Sequence, residues 1–356
     1  VLHPLATIVA ALLADSARVG PCRGSDFLAA LVAGVDVAVA LGLAATSPLK
    51  FFRPATAGIF GSVAALARLR RLDRAAALDA LGYALAFASG TMQAHVEGKP
   101  ALPVQVANAA RGAVAALDMA LAGLSGPLGS VDGPFGYLPL FETAFDMAPV
   151  IADLGRVFRV SEISWKPFPT GRAAHGAITA IEMLLRDHPA AAQDLESLTY
   201  RAPPLIARLV GRKTVPDMTP AYARLCLPYL AAVTLTSGTV GLGDFSGGRL
   251  ADPELLALAG RITVTVNEIA DPAAFVPGLL IARFTGGRSV EIPVTSLLGS
   301  PAWKLTPEQH RAKAASCLAF ADLSACDQPL ADGIAGFADL EDVAALWALI
   351  EPLAER

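Results

Sequence analysis

The chain has 356 residues and a mass of 36.6 kDa, a length that fits about two domains and suffices to bury a sizeable core. With 54% hydrophobic and 17% charged residues it is not a disordered chain. A net charge of -4, a pI near 5.8 and no basic run longer than Arg68–Arg71 leave it without the electrostatic footprint of a nucleic-acid binder.

A mean hydropathy of +0.51 raises the question of membrane spans. The best candidate, residues 27–46, carries Asp36 at its centre, and a charge at mid-bilayer costs a few kcal/mol. The stretch therefore reads as a buried, Ala-rich helix. Cys22, Cys226, Cys317 and Cys326 are scattered with no CxxC pair, so they are expected to be reduced, buried thiols. No basic segment, apolar run and cleavage site follow one another at the N-terminus. A cytoplasmic protein is expected, with no membrane partner.

In chain order, Ser25 and Asp26 are N-cap candidates for a helix with Leu28, Leu31, Val32, Val35 and Val39 at helical spacing, which Pro48 ends. A second helix is predicted from Pro54 to about Leu69, with Ala57, Gly58, Gly61, Ala64 and Ala65 small enough for another helix to approach closely. Asp73 caps a third, stopped by Gly90. A fourth spans about Val104 to Ala122, with Val106, Ala110, Ala113, Leu117 and Leu121 on one face. Short connections imply a helical bundle.

After about residue 155 the texture changes. Residues 197–202, 261–266, 279–285 and 288–294 read as strands, the last two joined by Gly286-Gly287, a pair suited to a tight hairpin. Helices are predicted at 173–187 and 219–236. Thr306 then caps a further helix with Glu308 and Gln309 in its first turn, and a last one is predicted from about Leu340 to Leu353. The fold class is mainly α with an α+β insert: helical residues 1–158, an α+β module at 159–300, and helical residues 301–356.

The densest polar cluster runs from Trp165 to Gly176. Pro167 and Pro169 hold the chain extended up to Thr170, so a helix begins only after it. Arg172 and His175, three apart, then share one face of its first turn. Unpaired amides of that turn, with Arg172 and Lys166, would form a carboxylate receptor. His175 is the one nearby group that exchanges protons near neutral pH. The alternative is two solvated cations and a satisfied helical histidine.

Arg53, just before the second helix, reaches over its mouth toward an anion, or pairs with a surface carboxylate at a loop. His3 stands ahead of an apolar helix, as a functional group or merely an exposed one. His95, His188 and His310 read as solvated. No converging His and carboxylate ligands suggest a metal.

His3-Pro4, Arg53-Pro54-Ala55-Thr56-Ala57-Gly58, Asn108-Ala109-Ala110-Arg111, Gly133-Pro134-Phe135-Gly136, Lys166-Pro167-Phe168-Pro169, Leu227-Pro228-Tyr229, Gly299-Ser300-Pro301 and Leu305-Thr306 follow one another in this order. In that ordered combination the chain resembles the MmgE/PrpD family, which includes 2-methylcitrate dehydratase, cis-aconitate decarboxylase and an iminodisuccinate epimerase. The resemblance implies a homodimer, an all-helical domain with an α+β lid, an active site in the cleft between them, and no metal or organic cofactor. It implies proton transfer at the carbon beside a carboxylate of a small di- or tricarboxylic acid, which calls for an acid/base group and cations.

Position by position, His3 matches the histidine of the family's His-Pro segment, Lys166 the lysine at the lid entry and His175 a histidine of the next helix. The resulting candidates are His3, Lys166 and His175 for catalysis, and Arg53, Arg172, Thr56 and Gln105 for substrate binding. The family's Asp-rich segment before the His-Pro has no counterpart between Val1 and His3. Arg53 stands where many members have histidine, Leu102 and Gln105 where dehydratases or decarboxylases carry Lys and His, and Gly171 replaces another His. These departures point away from 2-methylcitrate and cis-aconitate as substrates. The expected function is a dehydratase-like, cofactor-independent lyase, with an epimerase or a catalytically degraded carboxylate-binding member as alternatives.

Overall fold

The computed structural model describes residues 2–271 and 273–349. The chain is mainly helical with one small mixed sheet. It divides into two compact units: residues 1–94, 100–162 and 323–356, and residues 95–99 and 163–322. From 163 to 322 the chain stays in the second unit, whereas the boundaries expected from sequence lie after 158 and 300, so residues 301–322 fall in the second unit.

The first unit is helical, built on α1 (Pro4–Val19), α2 (Gly24–Ala44), α3 (Arg53–Thr56), α4 (Gly58–Leu69) and α5 (Arg74–Phe87). After α6 (Gln93–Glu97), whose last three residues belong to the second unit, come the long α7 (Ala101–Leu121), then the short α8 (Tyr137–Phe141) and α9 (Ala148–Asp153). Helices α2 and α4 cross at backbone contact. A Cβ on Gly34 would lie 2.6 Å from the Gly61 carbonyl oxygen, and one on Gly61 2.6 Å from that of Gly34, so the small residues of the second predicted helix do permit the close approach.

Helix α2 is the one candidate among the described residues that is long and apolar enough to cross a membrane, with a mean hydropathy of 2.3 in its most apolar window. Its Val35, Ala38 and Leu41 are core residues, and Asp36 accepts a hydrogen bond from the Arg159 amide at 2.7 Å. Both are what an internal helix of a globular unit requires.

Several boundaries differ from expectation for reasons of tertiary structure. Helix α2 starts at Gly24, not after Ser25, because the Gly24 amide donates to the Leu340 carbonyl at 2.8 Å. The second predicted helix is interrupted at Ala57, where the Pro54 carbonyl is taken by the Thr7 hydroxyl at 3.2 Å. Asp73 does cap α5, accepting from the Ala76 amide at 2.9 Å. In α7, Ala110, Ala113 and Leu117 are buried as expected, but Leu121 is 56% exposed.

The second unit carries α10 (His175–Asp187), α11 (Ala191–Asp194), β1 (Leu195–Ala202), α12 (Pro204–Val210), α13 (Pro220–Ala223), α14 (Leu227–Ser237), α15 (Pro253–Ala259), β2 (Ile262–Val266), β3 (Gly278–Phe284), β4 (Ser289–Val294) and α16 (Pro307–Phe320). The strand order is β2-β1-β3-β4. β1 pairs with β2 in parallel, while β1–β3 and β3–β4 are antiparallel. Helix α10 packs on β3 and β4 and α14 on β2, closing a core that contains Leu198, Tyr200, Leu280 and Ala282.

All four predicted strands are present, and Gly286 and Gly287 adopt the expected positive φ of 86° and 83°. The helix predicted over 219–236 is split into α13 and α14. Cys226 between them is extended and bridges to Gly211, and Pro228 opens the second piece. Thr306 and Gln309 form the expected capping box on α16, at 3.2 and 2.9 Å.

Back in the first unit, α17 (Asp327–Ala335) is followed by α18 (Ala344–Trp347). The helix expected over 340–353 is thus one turn within the described residues, and residues 350–356 lie outside them. The four cysteines are free, as expected, but only Cys22, Cys226 and Cys326 are buried; Cys317 on α16 is exposed.

Candidate active site

The segment leading into α10 follows from its prolines. Gly171 is extended, residues 172–174 form a 3-10 turn, and α10 starts at His175. The amides of Thr170, Gly171, Ala174 and His175 all find carbonyl partners. The amides of Arg172 and Ala173, which open the turn, have no such carbonyl partner among the described residues, so an anion receptor here consists of side chains together with at most those two amides.

Those side chains do converge. Arg172 Nη1 lies 3.3 Å from His175 Nδ1 and donates to the carbonyls of Leu298 and Trp165 at 2.6 and 3.2 Å. Arg172 Nη2 is buried and has no partner, and the same holds for His175 Nε2. His175 is fully buried, with Phe168 edge-on to its ring at 5.2 Å. Burial, and then the charges of Arg172 and Lys166, hold its pKa well below the ordinary histidine value.

Lys166 is half-buried. Burial first, then the neighbouring charges of Lys313 and Arg172, lower its pKa to about 8. Burial likewise lowers that of Arg172 to about 10, so it remains a cation at neutral pH. Lys313 of α16 donates to the Lys166 carbonyl at 2.6 Å. Among the described residues, no carboxylate forms an ion pair with Lys166, Arg172 or Lys313. Uncompensated, partly buried cations of this kind invite an anion.

The backbone beneath them is fixed by Gly299. The Trp165 amide donates to the Gly299 carbonyl, and the Gly299 amide to that of Trp303, both at 2.7 Å. Gly299 has φ +82°, and a Cβ there would lie 2.1 Å from the Trp165 carbonyl oxygen.

The other candidates belong to the helical unit and have partners of their own. Arg53 is buried, donating from Nε to Glu142 Oε1 at 2.7 Å, from Nη2 to Glu142 Oε2 at 2.5 Å, and to the Ser47 carbonyl at 2.7 Å. Its partner is a buried carboxylate and not the surface one weighed from sequence. Thr56 is fully buried, its hydroxyl 3.3 Å from that of Tyr137, whose pKa burial raises to about 12. Gln105 spends both ends of its amide on the Thr91 backbone, at 2.6 and 3.3 Å. His3 is the N-cap residue of α1 and its carbonyl accepts from the Ala6 amide at 3.1 Å.

Sequence reasoning missed Lys313 and the buried state of His95. His95 was expected in solvent, but it is only 9% exposed, and burial with the charges of Arg212 and Arg208 lowers its pKa to about 4. No local signal marks either residue. Among the described residues, no group of three or more His, Cys, Asp or Glu side chains could hold a metal ion.

Two family models match the chain: the MmgE/PrpD N-terminal domain over residues 1–150 and the MmgE/PrpD C-terminal domain over residues 168–327. The protein belongs to the MmgE/PrpD family. Membership supports a dehydratase- or lyase-like role in general, since members are typically hydro-lyases or related enzymes. A search of curated proteins found no match.

Proposed function

We propose that the protein is a cofactor-independent, dehydratase-like lyase that moves a proton beside a carboxylate of a small di- or tricarboxylic acid. The observation that carries this reading is the cluster of Lys166, Arg172 and Lys313, cations with no carboxylate partner among the described residues. Arg172 Nη2 is a buried donor in want of an acceptor, and a substrate carboxylate supplies one. Lys166, with its pKa near 8, is the member of the cluster able to exchange a proton near neutrality. Arg53 already has its charge matched by Glu142, which leaves the substrate's carboxylates to Arg172 and Lys166. The proposal includes a cytoplasmic location and a homodimer, as the family resemblance implies; exposed Leu128 and Phe135 in the helical unit accord with a subunit partner.

A second reading, an epimerase, draws support from the same cluster. Dehydration needs an acid at the departing hydroxyl besides the base, and epimerisation needs a proton returned to the opposite face; Lys166, with its pKa of about 8, can serve as the base in either. Incubating di- and tricarboxylates with the enzyme in deuterated water separates the two. Loss of water gives an unsaturated acid with ultraviolet absorbance; epimerisation exchanges the α-proton without one. The Lys166→Met variant should bring turnover to background while its thermal unfolding stays near that of the parent. Full activity in that folded variant rejects the assignment.

A further inference from the structure

We infer that Lys313 of α16 is a positioning residue for Lys166: its ammonium clamps the main chain of that lysine and sets a second positive charge beside the Lys166 amine. The inference rests on the role given to Lys166 above and adds the group that governs it.

The strap at Trp165 and Lys166 is held by its main chain. The Trp165 amide donates to the Gly299 carbonyl at 2.7 Å. The Trp165 carbonyl accepts from Arg172 Nη1 at 3.2 Å, and the Lys166 carbonyl from Lys313 Nζ at 2.6 Å. Two of these three anchors are therefore cations of the site itself. The one from Lys313 is a charge-assisted hydrogen bond, of the stronger kind, and it fixes the Lys166 backbone against α16.

Lys313 does not serve a core. None of the residues of α16 is buried, and the helix start is secured independently by the Thr306–Gln309 capping box. What α16 turns toward the strap is His310, whose ring meets Trp165 edge-on at 5.2 Å, and Lys313 three residues later on the same face. A neutral donor could hold the Lys166 carbonyl equally well. What a lysine adds there is charge.

That charge falls on the Lys166 amine. The groups acting on it are Lys313 from α16 and Arg172 from the turn before α10, both cations, while His175 of α10 is buried and neutral. No carboxylate pairs with either cation among the described residues. Like charges disfavour the protonated form of an amine, and partial burial of Lys166 leaves less water to screen them. Lys313 thus holds Lys166 in place and makes its proton easier to release.

The test follows the Lys166 amine directly and needs no substrate. Lysine side chains are labelled with carbon-13 next to the amine, and the Lys166 signal is the one missing from Lys166→Met. The parent should titrate with a midpoint of about 8. Lys313→Met removes donor and charge, Lys313→Gln keeps a donor without the charge, and Lys313→Arg keeps both. The midpoint should rise by at least about half a pH unit in Lys313→Met and Lys313→Gln and stay near that of the parent in Lys313→Arg. Because α16 buries no residue, all three variants should unfold near the temperature of the parent. An unchanged midpoint in Lys313→Met and Lys313→Gln, or one displaced as far in Lys313→Arg, overturns the inference. In turnover, the limb of the kcat/KM profile that Lys166 governs should move with the midpoint and return in Lys313→Arg; a limb that stays in place in Lys313→Met overturns it as well. If the parent neither binds nor converts any di- or tricarboxylate, the proposed function fails, and the titration still decides whether Lys313 acts on Lys166.

Discussion

The guanidinium of Arg53 and the carboxylate of Glu142 face each other in a two-point contact, Nε–Oε1 2.7 Å and Nη2–Oε2 2.5 Å, with side-chain exposures of 8% and 2%. Removing one partner of such a buried pair strands the other charge, at a cost of about 3–5 kcal/mol. Glu142→Ala should therefore lose stability of that order in urea unfolding. The double change Arg53→Met with Glu142→Leu, which removes both charges together, should recover much of it.

Lys166 gives a prediction with a definite sign. Its pKa of about 8 means that below pH 8 the side chain is mostly ammonium and above it mostly free amine. If the amine takes the substrate's proton, kcat/KM should climb by about tenfold per pH unit below that value and level off above it. A fall through pH 8 would instead mean that its charge is what matters. Lys166→Arg, still cationic but unable to act as a base near neutrality, should retain carboxylate binding and lose turnover.

The sequence foretells elements best where a few neighbouring residues decide the outcome. Asp73, Thr306 and the Gly286-Gly287 pair act through bonds and dihedrals within four residues of themselves, and each does what its type implies. The breaks at Ala57 and before Pro228 were hidden because distant groups make them: the Thr7 hydroxyl in one case, the bridge to Gly211 in the other. The same holds for the chemistry. Lys166, Arg172 and His175 lie within ten residues and could be seen as a trio, whereas Lys313 reaches Lys166 across 147 positions and Glu142 reaches Arg53 across 89. The type of His175 suggests a proton carrier; its full burial and its arginine neighbour show only in the structure.

His95 predicts how stability responds to acid. Its folded pKa of about 4 is below the ordinary value of 6.5, so the unfolded chain takes up the proton first as pH falls. The contribution is complete above pH 6.5 and is lost progressively down to about pH 4, at most about 3 kcal/mol. Urea midpoints measured across this window should slope for the parent and flatten for His95→Gln.

Gly299 should tolerate no side chain. With φ +82° and the Trp165 carbonyl 2.1 Å from where a Cβ would sit, Gly299→Ala combines backbone strain with a clash against main chain. A loss of about 2 kcal/mol or more is expected in thermal or urea unfolding. Weaker carboxylate binding should accompany it, because the strap that carries Lys166 hangs from the Trp165–Gly299 hydrogen bond.

Pro293 in β4 bears on how this molecule behaves in a crowd. The Phe284 amide donates to the Arg288 carbonyl, which fixes the alternation along the hairpin so that Pro293, opposite Leu279, turns its nitrogen away from β3. The imino ring therefore costs the hairpin nothing and deletes a donor on the open rim of the sheet. A foreign strand trying to add itself there meets a gap in the ladder. The rim is blunted against edge-to-edge aggregation.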